Sequence, residues 1–353
     1  MELRDAYHEI EERLGRIDFP ALFRGFSRFP FALYNDTQAC IGGEITGKPD
    51  SFLGNTSIRY NGAYTAIWQL SEGAGDFDVL TSKIVHEMLH AFQNASGESR
   101  WADERAAMVK YRYDEANFAA RIEEAGCMRK CLAEDAPDAF SRLLGLRKAR
   151  MARFPFVYDY EARIEQIEGT AHFVELEALA QLNPEKAKKR REQLLDMLSD
   201  PVQYFPVRPV TYLSGAAFIA CLRKYTDLDT DGFTDTPFAV EALAQAQPSA
   251  LPETDARVAA CISKWRDEAQ AVVDRTIEKG DLVLEGAYRL IAWNVYDAVW
   301  DGRYAVITAF IGYIEGGALP ESDEELFAQM KIINGNFVAE VDADLNLTRV
   351  WRQ

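Results

Sequence analysis

At 353 residues the chain is long enough to bury a large core and to divide into subdomains. A composition of 48% hydrophobic and 27% charged residues excludes wholesale disorder. The formal charge of −17 argues against a nucleic-acid partner, because holding phosphates needs a basic surface.

The first thirty residues read as one amphipathic helix followed by a Phe-rich connection, Phe19 to Phe31. The start is charged from its second residue and carries no cationic segment followed by an apolar run, so no secretory signal is expected. Apolar stretches such as Ala305 to Gly312 are too short to cross a bilayer. The expected setting is cytoplasmic, with no membrane partner. From Phe31 to Leu70, glycines 42, 43, 47, 54 and 62 punctuate short β-prone runs, which predicts a small antiparallel sheet.

Helix is predicted from about Val79 to Lys279. Breaks are expected at Ser96-Gly97, around Pro137, near Phe154-Pro155, at Asn183-Pro184 and through Pro201 to Pro209. The basic tract Glu185 to Glu192 reads as a solvated helix face. After about Asp281 the texture is β again. Tyr288 to Trp300, Arg303 to Tyr313 and Phe337 to Trp351 alternate in strand fashion, with a hairpin at Asp301-Gly302. The predicted class is α+β in three parts: 1–95 with a helix, the small sheet and the histidine helix, a helical subdomain at 96–280, and a C-terminal β unit at 281–353.

Five cysteines (Cys40, Cys127, Cys131, Cys221 and Cys261) are odd in number and scattered, which is no disulfide framework. Cys127 and Cys131 are one helical turn apart, but no second pair completes a structural zinc site. Asp227 to Gly232 begins like a calcium loop. The position that should carry a bidentate Glu is Phe238, so a polar turn is expected.

The chemistry concentrates in His86-Glu87-Met88-Leu89-His90. Histidines four apart on a helix share one face and can each give a nitrogen to one tetrahedral metal. Glu87 lies between them and reaches an attacking water instead, where a general base belongs. The helix has candidate caps at Asp78, Thr81 and Ser82 and a stop at Gly97. Ile84, Val85, Met88, Leu89 and Phe92 form its apolar face.

Two histidines need a third ligand. In Tyr160 to Glu175 the apolar residues Ile164, Ile167, Ala171 and Val174 repeat at helical spacing. Beside them runs a stripe of Glu161, Glu165, Glu168, His172 and Glu175. Acids stacked at the edge of a core repel one another and resist desolvation unless a cation neutralises them. A zinc ion would do so, and so would Arg and Lys partners from elsewhere.

The His-Glu-Met-Leu-His helix, followed on a later helix by Glu168-Gly169-Thr170-Ala171, resembles the gluzincin class of zinc metallopeptidases. The resemblance implies a zincin-like fold in which His86, His90 and Glu168 hold Zn2+ and Glu87 is the catalytic acid/base. Pro209 to Phe218 resembles a helix opening in some of these peptidases, which makes Tyr212 a donor to the developing oxyanion. The run Tyr60 to Leu70 is similar to the edge strand that pairs with an extended substrate.

His90 and Glu168 stand 78 positions apart, so a helical insertion, Glu98 to Tyr158, must lie between them. His172 occupies the place where the thermolysin-like pattern has an Asp. It is a candidate orienting group, transition-state donor or rival ligand, and Glu165 is a weaker rival. The resemblance covers about Tyr60 to Tyr225 and leaves the C-terminal β unit unexplained. The implied activity is hydrolysis of a peptide or protein. The alternatives are a non-catalytic binding module and a metal-free helical scaffold.

Overall fold

The computed structural model describes residues 2–70, 75–316, 319–320 and 323–353. Helix α1 (Leu3–Leu14) buries Leu3, Ala6, Tyr7, Ile10 and Leu14, an apolar stripe at helical spacing. The short α2 (Phe19–Leu22) is capped by Asp18. Strands β1 (Phe31–Tyr34), β2 (Gln38–Ile41), β3 (Glu44–Gly47), β4 (Thr56–Tyr60) and β5 (Ala63–Gln69) make a sheet of order β3-β2-β1-β5-β4. Asn61 and Gly62 both take positive φ, 48° and 85°, which fits the tight hairpin joining β4 to β5.

Three of the strand pairs are antiparallel, but β1 and β5 run parallel, with Ala32 opposite Ile67. The sheet is therefore mixed rather than wholly antiparallel, because the chain crosses to the far edge after β3 before returning beside β1. It also follows that most of Tyr60 to Leu70 is an interior strand, and the open edge on that side is β4.

Helix α3 (Phe77–Ala95) carries the two histidines. Its cap is Asp76, whose carboxylate accepts from the amides of Asp78 and Val79. The predicted caps do other work: Asp78 pairs with Arg13 and Lys186, and Ser82 donates to the Val79 carbonyl. Gly97, at φ +74°, ends the segment as expected.

The helical body continues with α4 (Glu104–Lys110), α5 (Glu115–Ala133), α6 (Pro137–Arg153), α7 (Pro155–Ile164), a π-helical turn (Glu165–Gly169), α8 (Thr170–Leu182), α9 (Pro184–Leu198) and α10 (Val207–Tyr225). Pro137, Pro155 and Pro184 each stand first in a helix, where no amide hydrogen is needed. The expected insertion is thus helical, and one hydrophobic core runs from Leu3 in α1 through α3 and α10 to Ile262. The short α11 (Phe238–Glu241) follows. The calcium-like segment before it is a polar turn in which Asp229 and Asp231 bind Arg24 and Arg223.

The long α12 (Ala256–Lys279) leads into the C-terminal unit. There β6 (Asp281–Trp293), β7 (Val299–Trp300), β8 (Tyr304–Ile307), β9 (Phe310–Glu315), β10 (Lys331–Asn334), β11 (Phe337–Val341) and β12 (Asn346–Arg352) form an antiparallel sheet, with α13 (Asp323–Gln329) before β10. Its order is β10-β9-β6-β12-β11-β8-β7. The Asp301-Gly302 turn joins β7 to β8, where the Asp301 carboxylate accepts from the amides of Arg303 and Tyr304. The predicted strand over Tyr288 to Trp300 is two elements, β6 and the short β7. Leu290, Trp293, Ile307, Phe337 and Val350 make a separate core, against which Met108 and Val109 of α4 pack. Among the described residues no helix is long and apolar enough to cross a membrane.

Candidate metal centre

His86 and His90 are buried on α3, their rings 4.9 Å apart between centroids and nearly perpendicular. His90 Nδ1 lies 2.8 Å from Gln93 Oε1, an acceptor, so that nitrogen carries the hydrogen and Nε2 is free to ligate. Gln93 is itself held, because its Nε2 donates to the Ile167 carbonyl of the π-helical turn, 3.1 Å away. One glutamine therefore ties a candidate ligand to the segment that carries the next one.

That segment is placed by a backbone crossing. A Cβ on Gly169 would lie 2.7 Å from the Gly215 Cα, and a Cβ on Gly215 would lie 2.8 Å from the Gly169 Cα. Only glycines permit α10 to pass this close to the π-helical turn. The crossing brings the Glu168-Gly169 segment against the Tyr212-to-Gly215 segment of α10.

Glu168 Oε2 lies 3.3 Å from His90 Nε2 and 3.7 Å from His86 Nε2. Bonds of about 2.0–2.1 Å at tetrahedral angles put ligand atoms about 3.3 Å apart, and Glu168 stands near that spacing from both histidines. All three ligand atoms lie within 4.8 Å of one another. The other carboxylate oxygen of Glu168 accepts from Arg208 Nη2 at 3.1 Å, leaving Oε2 to face the histidines. Arg208 also pairs with Glu104, which accepts from the Tyr160 hydroxyl at 2.9 Å.

The polar stripe of the sequence divides here. Glu165 gives both oxygens to Arg147, at 2.7 and 2.8 Å, and one also to the Ser214 hydroxyl, so it is not beside the histidines. Glu161 is buried against Arg121, Arg150 and Tyr111. Those two are neutralised by arginines, the other way open to the stripe, while Glu168 is shared between Arg208 and the histidines and Glu175 faces histidines.

Glu175 Oε2 is 3.3 Å from His86 Nδ1, without hydrogen-bond alignment, and 3.1 Å from His172 Nδ1. His172 thus faces Glu175 rather than Glu168, its ring 6.4 Å from that of His86. His86, His172 and Glu175 form a second trio with ligand atoms within 4.8 Å, which places His86 between two donor sets.

Burial alone would depress the His86 imidazolium, but Glu168 and Glu175 outweigh it and push the pKa up to about 10. His90 is raised as well, burial being overcome mainly by Glu168. Glu168 shows the reverse: burial would raise its carboxyl, but His90, His86 and Arg208 hold it well below the ordinary range.

Glu87, between the histidines, is partly buried with no hydrogen bond or ion pair among the described residues, and burial raises its pKa. A carboxyl held near the histidines with a raised pKa is suited to take and return a proton. Tyr212 is half-buried. Its ring lies 5.7 Å from the Arg208 guanidinium, and its hydroxyl is 3.4 Å from that of Tyr296. Burial and Glu168 raise the Tyr212 phenol, so it keeps its proton and stays a donor.

Gln93, Arg208, Glu104, Glu175 and Tyr296 carry no role in the sequence motifs. Glu175 was visible in the stripe and Gln93 lies one turn past His90, so spacing carried a signal for both. Nothing local marks Tyr296, which comes from the β6–β7 loop of the C-terminal unit. No protein-family model matches this chain, and no curated protein or solved structure matches it either.

Proposed function

We propose that this protein is a zinc-dependent hydrolase, a metallopeptidase acting on peptide or protein chains. The observation that carries this reading is the convergence of His86 Nε2, His90 Nε2 and Glu168 Oε2, with the carboxylate oxygen 3.3 and 3.7 Å from the two nitrogens, close to the spacing of ligands on one tetrahedral ion. Glu87, without a partner among the described residues, supports a reaction rather than a purely structural metal.

A zinc ion in that place supplies Lewis acidity and lowers the pKa of water toward about 7. Glu87 takes the proton of the attacking water and passes it to the leaving amine. The Tyr212 hydroxyl, kept protonated, donates to the carbonyl oxygen as negative charge grows on it. Gln93 fixes the His90 ring, and Arg208 fixes Glu168 through its other oxygen. The resemblance to gluzincins points the same way. His172, turned to Glu175, orients the site through that carboxylate.

The test is metal analysis of protein purified without chelators, followed by assay on unstructured peptides. About one zinc per chain is expected. A trace far below stoichiometric, not restored by added zinc, removes the proposal and leaves the metal-free scaffold. Glu87→Gln is expected to keep its zinc and lose about 10²–10⁴-fold in rate. Full zinc with no cleavage of any peptide would leave the binding module.

A further inference from the structure

Beside the candidate metal centre lies a cavity of about 470 Å³, within the range of small-ligand pockets. Its walls come from α4, which belongs to the helical insertion between the two motif segments, and from α12 and the C-terminal sheet, which the peptidase resemblance does not cover. Met108, Trp265, Val273, Trp293, Trp300 and Tyr304 line it. Its near wall holds Glu104, Tyr160, Arg208 and Tyr296, of which Arg208 and Tyr296 touch residues of the site. Arg208 binds Glu168 at 3.1 Å and Tyr296 meets Tyr212, so the cavity adjoins the candidate metal centre through these two side chains.

We propose that this cavity receives the substrate residue next to the scissile bond and selects a large aromatic or aliphatic side chain there. The proposal rests on the peptidase reading for the scissile bond but not for the cavity's occupant. The walls decide the chemistry. Eight aromatic side chains and five valines stand in the lining beside its polar groups, and such ring and aliphatic surfaces gain from burying apolar area. Its acids are already engaged: Glu104 with Arg208 and Tyr160, Asp301 with the amides of its own turn. Three arginines, Arg112, Arg208 and Arg266, stand in the lining against its two acids, so the cavity does not draw in a basic side chain. Arg112 and Arg266 at the rim have no ion pair among the described residues and donate to backbone carbonyls, so they would repel one. The C-terminal β unit then has a part in recognition, closing the cavity and bringing Tyr296 to the centre.

The probes are capped pentapeptides Ala-Ala-X-Ala-Ala with X as Phe, Leu, Ala, Asp or Lys. Calorimetric titration uses zinc-loaded Glu87→Gln protein, so that turnover does not consume them. Phe and Leu are expected to bind about tenfold or more tighter than Ala. Ala269→Trp on the α12 wall is expected to abolish that preference while zinc content and circular dichroism stay unchanged. Met108→Trp is a second filling variant from the α4 wall. Equal binding of Phe and Ala, tighter binding of Asp or Lys, or a preference that survives both filling variants would overturn the proposal. Selective binding without cleavage by the zinc-loaded native protein would retain the cavity and remove the peptidase reading. Cleavage that ignores side-chain size would do the opposite.

Discussion

His86 lies between two carboxylates, and that governs the metal-free site. With Glu168 and Glu175 raising its pKa to about 10 against the opposing effect of burial, it keeps a proton near neutral pH. A histidine must be neutral to ligate a metal, so binding zinc expels that proton and affinity rises with pH. Zinc titrations in buffers of different ionisation heat are expected to release about one proton or more per ion at about pH 7. No release would mean that His86 is already neutral. Glu175 is the residue to vary next. Glu175→Gln keeps the shape but removes the charge beside His86 Nδ1, and is expected to weaken zinc about 10–100-fold in chelator competition without changing stoichiometry. Unchanged affinity would leave Glu175 with no part in holding the ring.

The π-helical turn and α10 act as a pair. A π turn spreads the same rotation over more residues, so Glu168 swings off the face that Glu165 occupies. The glycine crossing then holds it over α3. Gly169→Ala and Gly215→Ala each push a methyl within 3 Å of backbone that cannot yield. Either is expected to cost about 1–3 kcal/mol in thermal or denaturant unfolding and to lower zinc content as Glu168 is displaced. An alanine variant with native stability and full zinc would show that the crossing does not set the site. Much at this scale was legible in the sequence. The prolines mark where α6, α7 and α9 begin, and the histidine spacing gave α3. Two things were hidden: the extra residue in the turn, and which carboxylates of one stripe meet arginines. A stripe read along one helix cannot tell that Arg121, Arg147 and Arg150 approach from α5 and α6 while the histidines approach from α3.

Across the whole molecule, those arginines form a buried network with Glu124, Glu161 and Glu165 in the middle of the helical body. The order of the C-terminal strands, like this network, depends on partners far apart in the chain, so neither could be read from local pattern. The network makes a pH prediction. Burial by itself would raise the Glu161 and Glu165 carboxyls, but Arg121 and Arg150 for the first and Arg147 for the second hold them below the ordinary value. A depressed folded pKa gives stability that is present above the unfolded value, about 4.3, and lost as pH falls through the folded value. The melting temperature of metal-free protein is expected to change little on account of these groups between about pH 8 and 5, then to fall below about pH 4. Glu161→Gln leaves Arg121 and Arg150 short of a buried partner and is expected to cost about 3–5 kcal/mol at neutral pH, and to flatten the acid limb of the melting curve. An acid limb of undiminished slope in that variant would place the titrating groups elsewhere, with the carboxylates of the metal centre the next to vary.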